Sequence, residues 1–260
     1  MRYGILGDIR VTFDDGAGAG ISARKVELLL AVLLVRADQV VSSPQLEYEI
    51  WGDNPPRRST AALHVYVSQL RKFLASHGSP RPGGPRIVTR PPGYMLNLGT
   101  DVLDVREFQI RMRQSRSHAR AGRLEDAADY ARDALGLWRG PVLGDLRGGP
   151  IVDEFAAWAE EARLECTEAQ IEADLALGRH RELVPALRTL VAEHPMREAF
   201  ARQLMLALYR AERQSDALQA YQEVRHTLRR ELGVEPGRAL QRLQQAILVG
   251  DGTLDLRPVA

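Results

Sequence analysis

Apolar residues follow a helical period along most of the chain and a strand period only near its start. Tyr3–Leu6 and Ile9–Phe13 cluster or alternate apolar residues around Gly7-Asp8, which predicts two short strands. Asp14–Gly20 predicts a Gly/Asp loop. Ser22 is then the expected cap of a helix whose apolar positions are Val26, Leu29, Leu30, Leu33 and Leu34. Ser43-Pro44 predicts a second helix, with Ser as the N-cap and Pro at the first helical position, ending near Trp51-Gly52. Asn54-Pro55-Pro56 is a rigid breaker, and a third helix is expected over 57–75. A Gly/Pro-rich loop follows over 76–85. Arg86–Arg90 and Tyr94–Leu98 flank Pro91-Pro92-Gly93 and predict a hairpin.

From Asp104 onward the strand signals stop and Ala, Leu, Arg and Glu dominate. Helices are expected over 104–120, 123–138, 152–177, 180–193, 196–211, 214–231 and 236–248, with 140–150 irregular. Three helix junctions look alike: Gly122-Arg123, Gly178-Arg179 and Glu212-Arg213 each precede an amphipathic start. Arg179 and Arg213 are 34 residues apart (213 − 179), the period of a tetratricopeptide (TPR) helix pair, whereas Arg123 and Arg179 are 56 apart, so the array is imperfect. The fold class is therefore mainly α with a small β component. A winged helix-turn-helix of α+β type over 1–100 precedes an all-α, TPR-like domain over 104–250 and a tail over 251–260. A cut after Thr100 is expected to leave a chain that still binds a strong operator.

The third helix carries the most information. Leu63, Tyr66, Val67, Leu70, Phe73 and Leu74 form one apolar face. At about 100° per residue the opposite face holds Arg57, Ala61, His64, Val65, Ser68 and Lys72, flanked by Arg58, Gln69 and Arg71. Solvated faces mix both signs of charge, and this one has no carboxylate. Val65 is aliphatic on a polar face. A major groove suits such a surface: Arg and Lys meet phosphate or guanine, Gln reads adenine, and an aliphatic side chain meets a thymine methyl. The hairpin adds Thr89, Arg90 and Tyr94 near a Pro-set tip, a narrow projection that fits a minor groove or backbone contact.

Charge distribution supports the same half of the chain. The net charge is +1, but residues 1–100 hold 12 basic and 8 acidic residues, and the remainder hold 23 and 26. No acid lies between Asp53 and Asp101, where Arg57, Arg58, Arg71, Lys72, Arg81, Arg86 and Arg90 all fall. A polyanion partner is expected for that half.

Other classes fit less well. The lone Cys166 makes neither an internal disulfide nor a cysteine zinc site, and the six histidines are scattered, so no metal is expected. There is no signal pattern, and the longest apolar run, Val26–Val35, is interrupted by Glu27, so no membrane span and a cytoplasmic, nucleoid-associated location are expected. Gly16-Ala-Gly-Ala-Gly20 with Asp38 mimics a dinucleotide fingerprint, but no buried strand follows to close a βαβ unit. No nucleophile, base and orienting group form a set, so no catalytic residue, cofactor or enzymatic activity is expected. Trp138, Trp158 and Cys166 suit core or interface positions. A helical-repeat scaffold for protein partners is the alternative from another class.

The N-terminal part resembles the OmpR/PhoB-type winged-helix domain through Leu46-Glu-Tyr-Glu-Ile-Trp-Gly52, His64-Val-Tyr-Val-Ser-Gln-Leu-Arg-Lys72 and Val88-Thr-Arg-Pro-Pro-Gly-Tyr94. The rest resembles the bacterial transcriptional activator domain through Leu135-Gly-Leu-Trp-Arg-Gly-Pro-Val-Leu143 and Leu228-Arg-Arg-Glu-Leu-Gly-Val-Glu-Pro-Gly237. Together, in this order, they are similar to the SARP-type activators (Streptomyces antibiotic regulatory proteins). Lys25 and Lys72 are the only lysines, as GC-rich coding would give. The resemblance implies activation of a secondary-metabolite cluster, side-by-side binding of two copies to direct repeats in duplex DNA, and recruitment of RNA polymerase holoenzyme through sigma factor and core subunits. It places Trp51 at a backbone-contacting position, Ser68, Gln69 and Arg71 at recognition positions, and Arg90 and Tyr94 on the wing. It also suggests a polymerase contact in the loop Gly52, Asp53, Asn54 and Arg57. A repressor of the same architecture is the alternative within this class.

Overall fold

The structure is a computed structural model and describes residues 1–76 and 86–255. Arg81, most of the loop over 76–85 and the end of the tail lie outside the described residues. Contacts group the chain into two compact units, each built from two stretches: Met1–Arg111 with Asp133–Leu164, and Met112–Arg132 with Glu165 onward.

In the first unit, β1 (Arg2–Gly4) and β2 (Arg10–Thr12) pair antiparallel where two strands were expected, each a little shorter. Two further strands carry no readable alternation because each has two residues. β3 (Gly18–Ala19) pairs with β2 inside the expected loop, and β7 (Val102–Leu103) pairs parallel with β1, giving the order β3-β2-β1-β7.

Helix α1 (Arg24–Val35) buries Val26 and every residue from Leu28 to Leu34. A helix apolar on all sides is a central one. Its N-cap is Ala23, with no side-chain bond, rather than Ser22. Helix α2 (Ser43–Trp51) is capped one residue earlier than expected: Ser42 and Gln45 form a capping box and Pro44 occupies the first turn. Helix α3 (Ser59–Ser76) follows. Strands β4 (Val41–Ser42), β5 (Ile87–Arg90) and β6 (Gly93–Leu96) form a second sheet in the order β4-β6-β5.

Two buried carboxylates join later segments to this frame. Asp104 opens α4 (Asp104–Arg120) and accepts from the Ile5 N–H (2.9 Å), the Leu6 N–H (3.1 Å) and the Arg139 guanidinium (3.2 Å). Burial pushes its carboxyl above the usual range, and the two amides and Arg139 pull the other way. Glu49 of α2, 4% exposed, accepts from the N–H groups of Gly149 (3.0 Å), Ile151 (2.8 Å) and Val152 (3.4 Å). These donors lie at the start of α6 (Pro150–Ala176), where orphan amides and the helix dipole favour an anion. A Cβ on Gly149 would stand 2.8 Å from a Glu49 carboxylate oxygen, so this close approach needs glycine. Backbone bonds from Arg139 to Leu6 and from Leu143 to Ile5 extend the seam. Trp138 meets Phe108 edge-on at 5.5 Å and lies under the Arg163 guanidinium.

In the second unit, α5 (Leu124–Leu135) sets Ala127 and Ala128 against Ala173 and Leu177. Helices α7 (His180–Glu193), α8 (Glu198–Arg210), α9 (Gln214–Leu232) and α10 (Arg238–Val249) follow, and α8 packs on α7, α9 and α10. The three repeated junctions share one backbone. Gly122, Gly178 and Glu212 all have left-handed φ (73°, 83° and 62°). The next residue's N–H reaches back five positions: Arg123 to His118, Arg179 to Asp174, Arg213 to Leu208. This is the Schellman helix end, for which glycine is favoured, and Glu212 adopts it without being glycine. Cys166 is buried with its thiol pushed up to about 12 by desolvation, an inert core residue.

Candidate nucleic-acid interface

Helix α3 turns Leu63, Val67, Leu70 and Leu74 inward. The opposite side is open: Ala61, His64, Val65, Ser68, Gln69 and Lys72 are all exposed, Val65 by 52%. An aliphatic side chain that exposed, between polar neighbours, leaves apolar surface open to a partner. The start of α3 is held by Glu47 of α2, which accepts from the Ser59 hydroxyl (2.6 Å) and the Thr60 hydroxyl (2.8 Å). The Glu47 carboxylate beside α3 is thereby occupied by hydroxyl donors, while Glu49 points into the unit.

The β5–β6 hairpin stands beside α3 and is rooted at Gly93. A Cβ there would lie 1.9 Å from the Val41 carbonyl oxygen, so only glycine lets β6 run against β4. Thr89 and Arg90 are exposed near the tip.

The basic residues divide into two groups. Arg57, Arg58, Lys72 and Arg90 are exposed and make no ion pair among the described residues. Arg86 is not available: its Nε donates to Asp101 (2.9 Å), which also holds the N-terminal ammonium. Arg71 is half-buried, donating to the Ile87 carbonyl (3.0 Å) and the Thr89 hydroxyl (2.9 Å). Tyr94, expected on the wing surface, is 6% exposed, with its ring beside His64 (6.4 Å) and under Arg71 (5.9 Å). It supports the surface instead of forming it.

Trp51 is half-buried, stacked on Tyr66 at 5.9 Å, with the Lys25 ammonium 5.3 Å above its ring. Lys25 therefore joins the basic edge from the first turn of α1. The helical pattern gave no sign of this, because Lys25 is distant in sequence from the basic stretch. Gly52 ends α2 with φ of 60°, and Asp53, Asn54, Pro55, Pro56, Arg57 and Arg58 form an exposed loop.

Among the described residues no group of three or more His, Cys, Asp or Glu could hold a metal, and no helix is long and apolar enough to cross a membrane.

A helix-turn-helix with an acid-free outward face, a basic hairpin at its side and a following helical array defines a DNA-binding transcription regulator. Residues 21–96 match the family described as "Transcriptional regulatory protein, C terminal", and residues 103–248 match "Bacterial transcriptional activator domain". The regulatory protein DnrI of Streptomyces peucetius is 38% identical over 98% of this chain and 94% of its own length. The transcriptional regulatory protein EmbR of Mycobacterium tuberculosis is 37% identical over 95% of this chain but 63% of its own length. The regulatory protein AfsR of Streptomyces coelicolor is 37% identical over 98% of this chain and 25% of its own. A solved structure, Mycobacterium tuberculosis EmbR in complex with a low affinity phosphopeptide, superposes with a TM-score of 0.89 and 34% identity, covering all of this chain and 66% of that one. The chain belongs to the SARP-type transcriptional regulators.

Proposed function

We propose that the chain activates transcription of a secondary-metabolite cluster by binding direct repeats near a promoter and recruiting RNA polymerase holoenzyme. The observation that carries the DNA contact is the exposed, acid-free face of α3 beside a basic hairpin. Helix α3 enters the major groove, with Val65, Ser68 and Gln69 toward base edges and His64 and Lys72 at the flanks. Arg57, Arg58 and Trp51 meet the backbone, and Thr89 and Arg90 meet the adjoining minor groove or its phosphates. Two copies bind side by side on one face of the duplex, as DNA length and domain size allow when half-sites lie about one helical turn apart.

The loop that starts at Gly52 exposes Asp53 and Asn54, which are free to meet sigma factor or core subunits beside the Arg57 backbone contact. Stacked helix pairs offer surface for protein partners, which suits residues 104–250 to joining adjacent protomers and docking polymerase. Cellular DNA places such a protein with the nucleoid, in the cytoplasm.

The experiment is in vitro transcription with purified holoenzyme on two templates, one native and one with five base pairs inserted between the repeats. About half a helical turn moves one protomer to the opposite face. Activation is expected on the first template and is expected to be lost on the second. Equal transcript from both would exclude side-by-side binding.

A further inference from the structure

Arg71 sits in the second half of the recognition helix, where a cation would ordinarily be taken for a DNA contact. Two of its five N–H donors are already taken by the hairpin. Nε donates to the Ile87 carbonyl at 3.0 Å, Nη2 donates to the Thr89 hydroxyl at 2.9 Å, and the group stands 5.9 Å from the Tyr94 ring centroid. These three partners lie on the two strands of the hairpin.

Topology explains the first bond. In the order β4-β6-β5, β5 is an edge strand. The Arg86 carbonyl accepts from the Asn97 N–H, and Ile87 pairs opposite Leu96, so the antiparallel alternation turns the Ile87 carbonyl to the free edge. Edge carbonyls need a partner from outside the sheet. Arg71 supplies it, and the same planar fork reaches the Thr89 hydroxyl two residues on. Arg90, the exposed cation of the wing, is the next residue in the strand.

We infer that Arg71 is a positioning residue: it fixes the wing, and Arg90 with it, at one angle to α3, so that major-groove and wing contacts fall in register on the same site. This rests on the DNA-binding mode proposed above. The geometry needs a fork. An arginine presents fixed, parallel donors and a flat cation over the ring, whereas a lysine presents one point charge and cannot hold two acceptors and the ring together.

The test uses the full chain and a duplex scanned by base substitution, with binding followed over a range of salt. Compared are wild type, Arg71→Lys, Arg71→Ala, Thr89→Val and Arg90→Ala, each with its thermal melt. Wild type is expected to discriminate at two groups of base pairs, one under α3 and one under the wing. A wild type that discriminates at neither would overturn the binding mode itself. With wild type discriminating, Arg71→Lys is expected to weaken binding about tenfold or more, as Arg71→Ala does, because charge alone does not restore the brace. Its salt slope is expected to match wild type, because the wing keeps its cation, while Arg90→Ala loses roughly one unit with the charge it brings to the minor groove. Arg71→Lys, Thr89→Val and Arg90→Ala are expected to lose discrimination at the same wing base pairs and to keep it under α3, a selectivity that general destabilisation would not produce. If Arg71→Lys binds like wild type and Arg71→Ala loses a unit of salt slope, Arg71 is a phosphate contact and the inference fails. It fails also if Arg71→Lys loses discrimination evenly across the site, or if Thr89→Val keeps full wing discrimination.

Discussion

A chain cut after Thr100 is expected to be far less stable than the intact first unit, and to melt without a sharp transition or well below it. The cut removes β7 from the edge of β1 and takes away Asp104, whose carboxylate binds the Ile5 and Leu6 amides. It also removes Leu103, Val105, Phe108, Val142, Leu143, Leu146 and Val152, all of them buried within the first unit. Each buried apolar side chain of this size contributes about 1.5–3 kcal/mol. Even partial loss of that packing is comparable with the roughly 5–15 kcal/mol that holds a whole domain folded. For a domain of about a hundred residues each kcal/mol lost lowers the melting temperature by about 4–8 °C. The measurement is a far-UV melt of residues 1–100 beside the full chain. A fragment that melts cooperatively within about 5 °C of the full chain's first transition would show that the seam around Asp104 and Glu49 contributes little. The sequence suggested the opposite outcome, with a boundary at 100–104 and a free-standing DNA-binding domain. Fragment experiments that aim to separate DNA binding from activation therefore need to retain Asp104, Phe108 and the stretch from Asp133 to Leu164.

Duplex affinity is expected to fall steeply with salt. Four exposed cations that make no ion pair among the described residues, Arg57, Arg58, Lys72 and Arg90, lie around α3 and the hairpin. Four phosphate contacts per protomer correspond to a slope of about −3.6 in log affinity against log salt. Raising salt from about 50 to 200 mM should then weaken a single protomer by roughly a hundredfold, and a pair on two repeats by about ten thousandfold. Arg86 and Arg71 are excluded from this count because Asp101 and the hairpin hold them. A slope nearer to about −5.4, from all six arginines and lysines on α3, its preceding loop and the hairpin, would mean that these two let go of their partners on binding DNA. A flat dependence would remove the phosphate contacts altogether.

Much of the site was legible because it is local. The period of Leu63, Val67, Leu70 and Leu74 fixes which side of α3 faces outward, and the exposure of Val65, Ser68 and Gln69 follows from it. The three helix junctions at Arg123, Arg179 and Arg213 were legible because each closes by bonds within a few residues. What was hidden depends on partners far along the chain. Nothing in the local pattern marks Glu49, because its donors Gly149, Ile151 and Val152 lie a hundred residues on. Asp101 ends the acid-free stretch in sequence and neutralises its Arg86 in space. Tyr94 was read as wing surface because the hairpin pattern does not say which face α3 covers. Strands β3, β4 and β7 were missed because two residues carry no period.

The central claim is that the outward face of α3 reads base edges. The most direct measurement is competitive binding of wild type and of Gln69→Ala to a direct-repeat operator in which every base pair is substituted in turn. Gln69 is exposed, lies one turn from Val65 and makes no intramolecular bond among the described residues, so its removal should leave the fold intact. The account predicts that Gln69→Ala loses about 1–3 kcal/mol of discrimination at one base pair, the same one in each repeat, and keeps the wild-type profile elsewhere. An unchanged profile at every position would contradict it.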